Sequence, residues 1–153
     1  MTTFQRVANM NVAFGNPKGD YTAVDISKIT KQVSNILDEL AEFGTAAALG
    51  DLEDMRDALC DIIVFAQGAQ HLMGVDGDAD MHAVVDGVMT RFVKNDEDKA
   101  ATIALHAKKG VTDVYFEGEY PKMVMKSASA QPDAPTGKFL KSASYTQPVF
   151  PEI

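Results

Sequence analysis

The chain has 153 residues, of which 46% are hydrophobic and 24% charged, and its formal net charge is −8 at pH 7. This composition predicts one globular domain with its own core, and the negative charge argues against nucleic acid as a partner. Because no apolar run approaches a membrane span and no signal-peptide pattern opens the chain, we expect a cytoplasmic protein with no membrane partner. The single cysteine, Cys60, cannot form an internal disulfide and is expected to fill the core.

The first half of the sequence predicts three helices. Apolar residues recur at helical spacing over residues 4–15, and a longer helix is predicted from Asp25 to Ala48. Gly50 is suited to cap the C-terminus of that helix, and Asp51 to cap the N-terminus of the next one. The third helix is expected to end near Gly74, so two long helices fold back on each other at a short turn.

Four acidic residues occupy matched positions on these two long helices. Glu39 and Glu42 are three residues apart, and Asp57 and Asp61 are four apart, so each pair shares one helix face. Counted from Gly50, Glu42 lies eight residues before and Asp57 seven after, while Glu39 and Asp61 are each eleven away. In an antiparallel helix pair, equal counts from the turn mean equal heights, so the four carboxylates can face one another.

Two interpretations of these acids stay open at this point. Carboxylates in one place repel each other unless a cation lies among them, and hard oxygen ligands suit Mg²⁺ or Mn²⁺. An ordinary solvated helix face would carry the same residues, because acidic side chains commonly cover the outer side of surface helices.

An acidic stretch follows the third helix and suggests a calcium-binding EF-hand loop through Asp76, Asp78 and Asp80. Such a loop needs Gly at its sixth position and a carboxylate at its twelfth. Those positions hold Met81 and Gly87, which excludes the EF-hand interpretation.

The second half of the sequence predicts further helices followed by short β-strands. Helices are predicted over residues 80–94 and 95–109, followed by a β-hairpin at about 111–127. The fold class is therefore mainly α, an antiparallel helix bundle with a small C-terminal hairpin. Residues 1–127 are expected to form the helical domain, and residues 128–153 an extended segment that packs on it or on a neighbouring subunit.

The acidic stretches resemble a known group of enzymes. Glu39-Leu-Ala-Glu42 and the run from Asp57 to Gly68 resemble the all-α nucleoside triphosphate pyrophosphohydrolase superfamily, which includes MazG-like and phosphoribosyl-ATP pyrophosphohydrolase-like proteins. Residues 10–17, 91–110 and 137–145 are similar to phage-encoded members, so the resemblance covers nearly the whole chain.

The resemblance implies hydrolysis of a nucleoside triphosphate between its α and β phosphates with Mg²⁺ or Mn²⁺. The family pattern is E-x-x-E on one helix and E-x-x-D on the next. Glu39 and Glu42 match the first pair and Asp61 the final acid, but Ala58 stands where the family has Glu. Asp57 is expected to replace that Glu, because i, i+4 and i, i+3 lie on the same helix face.

The resemblance also implies roles for individual residues. The expected metal ligands are Glu39, Glu42, Asp57 and Asp61. Three of these acids, Glu39, Glu42 and Asp61, are also the expected catalytic residues. Glu39 is the expected general base because it borders the apolar stripe of the first long helix. That stripe consists of Ile29, Val33, Ile36, Leu40, Phe43 and Ala47. The expected substrate-binding residues are Arg91, Lys94, Lys138, Lys141 and Tyr145.

Relatives of this kind assemble, so a homodimer or homotetramer is expected, in the host cytoplasm if the chain is phage-encoded. A role in deoxynucleotide pools is the favoured interpretation, with (d)GTP as one candidate substrate. The alternatives are a hydrolase of phosphoribosyl-ATP or of a nucleoside diphosphate, and a non-catalytic helical assembly module. Ala58 favours the last of these, as does Val88, which stands about where many relatives carry an Asn.

Overall fold

The computed structural model describes residues 1–152, which form five α-helices followed by a small sheet. The fold is mainly α, as predicted. The helices are α1 (Thr3–Ala13), α2 (Ile26–Leu49), α3 (Leu52–Met73), α4 (Gly77–Met89) and α5 (Asp96–Ala107). The strands are β1 (Val114–Glu117), β2 (Val124–Ser127) and β3 (Phe139–Leu140), and a 3₁₀ turn covers Tyr21–Ala23. No described helix is by itself long and apolar enough to cross a membrane; only α3 and α4, counted together across their bend, reach that length and hydropathy.

The chain divides into two compact units. The first contains Met1–Met81 together with Pro151 and Glu152, and the second contains His82–Phe150. In the first unit, α2 and α3 pack against each other more extensively than any other two elements, and α1 packs on α3. The small side chains of Ala46 and Ala58 are 5% and 3% exposed, which allows the two long helices to approach closely.

Side-chain caps define the ends of the two long helices. The Asp25 carboxylate accepts hydrogen bonds from the first-turn backbone amides of α2, and the Asp51 carboxylate does the same for α3. Gly50 ends α2 with φ of 73°, and Gly74 ends α3 with φ of 85°, a left-handed backbone that glycine adopts without strain. The predicted turn between the two helices is confirmed.

Helix α4 begins earlier than predicted. Its start was predicted at Asp80, but the helix starts at Gly77. The reason is that the Asp76 carboxylate accepts hydrogen bonds from the backbone amides of Asp78 and Ala79, at 3.0 and 3.2 Å. The first of the acidic residues therefore acts as the cap, and the others lie in the first turn.

The predicted end of α4 at Lys94 is also wrong, since the helix stops at Met89. Val93 instead forms an antiparallel bridge with Met123, and its backbone amide donates to the Met123 carbonyl at 2.8 Å. Val93 is fully buried, so it is fixed by pairing with a residue thirty positions away rather than by its own helix.

The second unit is organised on a three-stranded sheet in the order β1-β2-β3, with both pairings antiparallel. The predicted hairpin is confirmed by β1 and β2, and β3 comes from the segment after residue 127. Four buried residues form the core of this unit: Val111, Met125, Ala134 and Leu140. The predicted domain boundary at residue 127 stays a prediction.

Cys60 is exposed, so its predicted place in the core is wrong. At about 100° per residue, two positions turn a helical side chain to nearly the opposite side. Ala58 is the residue of this part of α3 that faces the interior, and Cys60 consequently faces outward.

Two glycines in the first unit predict opposite responses to the same substitution. A Cβ at Gly19 would overlap the Leu72 carbonyl oxygen and lie 3.3 Å from the Gly74 nitrogen, whereas one at Gly44 in α2 meets nothing within 4 Å. Gly19→Ala should lower the free energy of unfolding by about 1–3 kcal/mol through overpacking. Gly44→Ala should raise it by about 0.5–1 kcal/mol because alanine loses less backbone entropy in a helix. Urea unfolding followed by circular dichroism measures both; equal stability of the two variants would contradict the close approach at Gly19.

Candidate metal and catalytic site

The α2–α3 hairpin holds residues at equal distance from its turn side by side. Gln32 and Gly68 are each eighteen residues from Gly50. A Cβ at Gly68 would lie 3.7 Å from Gln32 Oε1, so these two positions are in direct contact across the seam. Equal counts from Gly50 therefore correspond to equal heights, which is the geometry on which the prediction of facing acids depends.

The acidic side chains lie close enough to influence one another. Glu39 and Asp61 are half-buried, whereas Glu42 and Asp57 are exposed. Burial raises the pKa of Glu39 above its usual value, and the neighbouring carboxylates raise it further, in decreasing order Glu42, Asp61, Asp57 and Asp38. All four predicted metal ligands therefore belong to one electrostatic cluster centred on Glu39.

A groove between α2 and α3 shows how Asp57 relates to the departure at Ala58. The groove encloses about 380 Å³, and its lining includes Glu42, Ala46, Asp57 and Ala58. Ala58 is buried at the helix seam, whereas Asp57 lines the same groove from an exposed position. A carboxylate at position 57 thus borders the space that a side chain at position 58 would enter.

The donor set fits a hard divalent cation by its chemistry. The carboxylate oxygens that surround Glu39 are ligands preferred by Mg²⁺ and Mn²⁺, and such a cation would relieve their repulsion. Among residues 1–152, however, no three His, Cys, Asp or Glu side chains already stand close enough together to hold a metal ion. Because Glu42 and Asp57 are exposed, rotation of their side chains is what would bring the oxygens to one point.

Four of the five predicted substrate-binding residues share one cavity in the second unit. Arg91, Lys138, Lys141 and Tyr145 line a cavity of about 650 Å³. Lys94 does not: it lines a separate cavity of about 330 Å³. The structure thus brings most of these residues together, and their role stays a prediction.

Sequence reasoning missed two residues of this cavity, His106 and Lys109. Both come from the end of α5 or just after it, and they reach the cavity because α5 packs on the C-terminal segment. His106 is buried, and its Nε2 donates to the Lys141 carbonyl at 2.9 Å. Neither residue carries a local sequence signal, since the contact joins positions 35 apart.

Buried amides near the seam of the first unit were also missed. The Oε1 atoms of Gln32 and Gln67 are buried and, within residues 1–152, have no hydrogen-bond partner. Next to them Asn11 is buried and donates to the Val7 carbonyl at 3.0 Å. Unpaired carbonyl oxygens of this kind can accept hydrogen bonds from N–H groups of a ligand. The available signal was a polar residue next to the apolar stripe of α2.

The family comparison decides the broader identity. The sequence model of the family described as phosphoribosyl-ATP pyrophosphohydrolase matches residues 2–88, more than half of the chain. The chain belongs to this family. The family lies in the all-α MazG-like nucleoside triphosphate pyrophosphohydrolase superfamily, so the resemblance seen in the sequence is confirmed.

Membership in the phosphoribosyl-ATP pyrophosphohydrolase family makes the protein a pyrophosphohydrolase that acts on nucleotide-like substrates. The matched segment contains all four clustered acids, and it ends before Arg91 and the other basic residues of the second unit. No curated protein and no solved structure matches the chain.

Because the pKa of Glu39 is raised, we expect the thermal stability of the protein to depend on this residue and on pH. Its ionised form is disfavoured in the folded protein, so the penalty is present above the raised pKa and disappears as the pH falls below the ordinary value of 4.5. Glu39→Gln should therefore raise Tm at pH 7 in EDTA, and the difference should shrink towards pH 4. Scanning calorimetry across this range measures the effect.

Asp38→Asn is the matched control, because Asp38 is exposed, adjacent in sequence and the weakest of the four influences on Glu39. It should change Tm by less than Glu39→Gln. A lower Tm for Glu39→Gln at pH 7 would show that its carboxylate stabilises the fold instead.

Proposed function

We propose that the protein is a metal-dependent nucleoside triphosphate pyrophosphohydrolase that converts a (d)NTP and water to the (d)NMP and pyrophosphate. The observation that supports this proposal most strongly is the cluster of carboxylates around Glu39 on helices that belong to the matched family segment. A polyanionic substrate approaches such a cluster only with a cation between them, and phosphate oxygens together with carboxylates are the usual ligands of Mg²⁺. A role in the deoxynucleotide pool follows from the resemblance to phage-encoded members, with (d)GTP as one candidate.

In this proposal Glu39, Glu42, Asp57 and Asp61 hold Mg²⁺ or Mn²⁺, which supplies charge neutralisation at the phosphate oxygens. Glu39 also acts as the general base, because burial and its neighbours raise its affinity for a proton. One of its carboxylate oxygens takes a proton from the attacking water, whose oxygen bonds to the α-phosphorus. The bond from the α-phosphorus to the bridging oxygen breaks, and pyrophosphate leaves with the bonding electrons.

The amides of the first unit are proposed to contact the base of the nucleotide. Gln32 lies seven residues before Glu39 on α2, two helical turns along the same face. Its buried, unpartnered Oε1 and that of Gln67 would accept hydrogen bonds from exocyclic amino groups or ring N–H groups of a base. In this proposal, base recognition and phosphate chemistry would lie on one side of α2.

A homodimer or homotetramer is part of the proposal. Helices α2 and α3 expose large apolar side chains, each at least 45% accessible: Ile26, Val33, Leu37, Leu40, Leu49, Leu52, Leu59 and Ile63. The predicted apolar stripe of α2 includes Val33 and Leu40, which are half exposed within one chain. Apolar surface on this scale is typical of subunit interfaces, and a second copy of the chain is the proposed occupant.

Phosphoribosyl-ATP is the second candidate substrate, because the matching family is described by that activity. Its pyrophosphate would leave from the same metal site, so the two proposals differ in substrate and share their chemistry. A non-catalytic module would explain Ala58, but Asp57 borders the same groove and offers the missing carboxylate.

The proposal predicts which products form and what they require. Incubation with a panel of ribo- and deoxynucleoside triphosphates and phosphoribosyl-ATP should yield the monophosphate, or phosphoribosyl-AMP, together with pyrophosphate. Mg²⁺ or Mn²⁺ should support the reaction and EDTA should stop it, with products separated by ion-exchange chromatography. Release of orthophosphate with a nucleoside diphosphate would contradict attack at the α-phosphorus.

A pair of variants controls this experiment. Asp61→Asn should lower kcat by about a hundredfold or more, because it removes a half-buried oxygen ligand while keeping the side-chain shape. Asp38→Asn changes the charge equally and should retain activity within about twofold. Equal activity of the Asp61→Asn and Asp38→Asn variants would show that Asp61 is not part of the catalytic site.

A further inference from the structure

We propose that the cavity of the second unit is a metal-independent binding site for the phosphate chain of a nucleotide or for inorganic pyrophosphate. Four basic residues line it: Arg91, Lys109, Lys138 and Lys141. Among residues 1–152, Asp133 is the only acidic residue in its lining, although the whole chain has a net charge of −8. Positive charge concentrated in one concave place of an acidic protein selects an anion.

The cavity wall is fixed by hydrogen bonds between segments distant in sequence. The Ser142 backbone amide donates to the Arg91 carbonyl at 3.2 Å, and His106 Nε2 donates to the Lys141 carbonyl at 2.9 Å. Ser142 itself is only 2% exposed. Because the backbones of Arg91 and Lys141 are held in this way, their side chains start from defined positions, as a binding site requires.

Two cations of the cavity share one aromatic ring. The Arg91 Cζ lies 5.6 Å from the centre of the Tyr145 ring, and the Lys141 Nζ lies 4.2 Å from it. The ring attracts both cations but does not cancel their mutual repulsion, which a bound anion would do. The Arg91 Nε is buried and, within residues 1–152, has no hydrogen-bond partner. A guanidinium with a free buried N–H suits the paired oxygens of a phosphate.

The two remaining cations of the cavity, Lys109 and Lys138, are exposed, as is Lys141. The Lys138 ammonium donates to the carbonyl of Asp133. The volume of about 650 Å³ falls within the range of small-molecule sites and exceeds what a single phosphate needs. The volume therefore has room for a chain of two or three phosphates, whose charge the four basic residues of the lining would neutralise.

This site is distinct in origin from the acidic cluster. Its lining begins at Arg91, whereas the family match ends at residue 88, so the family segment does not supply it. The inference rests on the proposed function only in the choice of ligand. It is tested without metal and without turnover, so that the failure of one proposal is distinguishable from the failure of the other.

The test is titration calorimetry of the full chain in EDTA with inorganic pyrophosphate, a nucleoside triphosphate, a nucleoside monophosphate and the free nucleoside. Pyrophosphate and the triphosphate should bind, and the monophosphate at least about tenfold more weakly. Arg91→Gln and Lys141→Gln should each weaken pyrophosphate binding by about tenfold or more. Lys122→Gln removes the same charge from an exposed residue outside the cavity and should leave Kd unchanged, as should Asp61→Asn.

Three results would overturn the inference. One is the absence of pyrophosphate binding in EDTA. Another is binding that Asp61→Asn abolishes and Arg91→Gln does not alter, which would locate the anion at the acids. The third is that Lys122→Gln weakens pyrophosphate binding as much as the cavity variants do, which would mean that binding depends only on the overall charge of the protein. Circular dichroism checks folding, and the exposed Lys141 provides a second variant if Arg91→Gln misfolds. Turnover without this binding would refute the inference alone, and binding without turnover the proposed function alone.

Discussion

The first unit has to accommodate the repulsion among the carboxylates around Glu39. The α2–α3 hairpin brings like charges together and partly buries two of them, Glu39 and Asp61, although neither arrangement favours folding. Two helix caps at adjacent residues, Gly50 and Asp51, determine how the helices align, and the small residues Ala46 and Ala58 allow close packing. The carboxylate cluster therefore lowers the stability of the folded chain, which is common where charged residues form a functional site.

Local chemistry explains which parts of the fold were predictable from sequence. The turn between α2 and α3 was predicted correctly because glycine and aspartate act there through their own backbone and the next turn. The predicted start of α4 was wrong because three closely spaced acids, Asp76, Asp78 and Asp80, could each have capped the helix. Asp76 is the one that does. Its end was wrong because Val93 pairs with Met123, a contact that no local pattern contains.

The same distinction applies to the candidate site. Spacing from the turn predicted that the acids are neighbours, since a helix hairpin converts sequence distance directly into height. Ala58 departs from the family pattern, and Asp57, its expected replacement, borders the same groove in the structure. The basic cavity required tertiary information: Lys109 and His106 join it through α5, whereas Lys94, a neighbour of Arg91 in sequence, lines another cavity. The two units therefore differ in charge, with clustered carboxylates in the first and a cavity lined by basic residues in the second.

The position of a bound metal ion is the most direct test of whether the acids of α2 and α3 form a metal site. Crystals grown with Mn²⁺ and measured at a wavelength where manganese scatters anomalously would locate the ion without reference to the protein. We expect an anomalous peak between α2 and α3, at an ion coordinated by carboxylate oxygens of Glu39, Glu42 and Asp61, with Asp57 as the fourth acid. Manganese bound elsewhere at saturating concentration, with none at these residues, would contradict it.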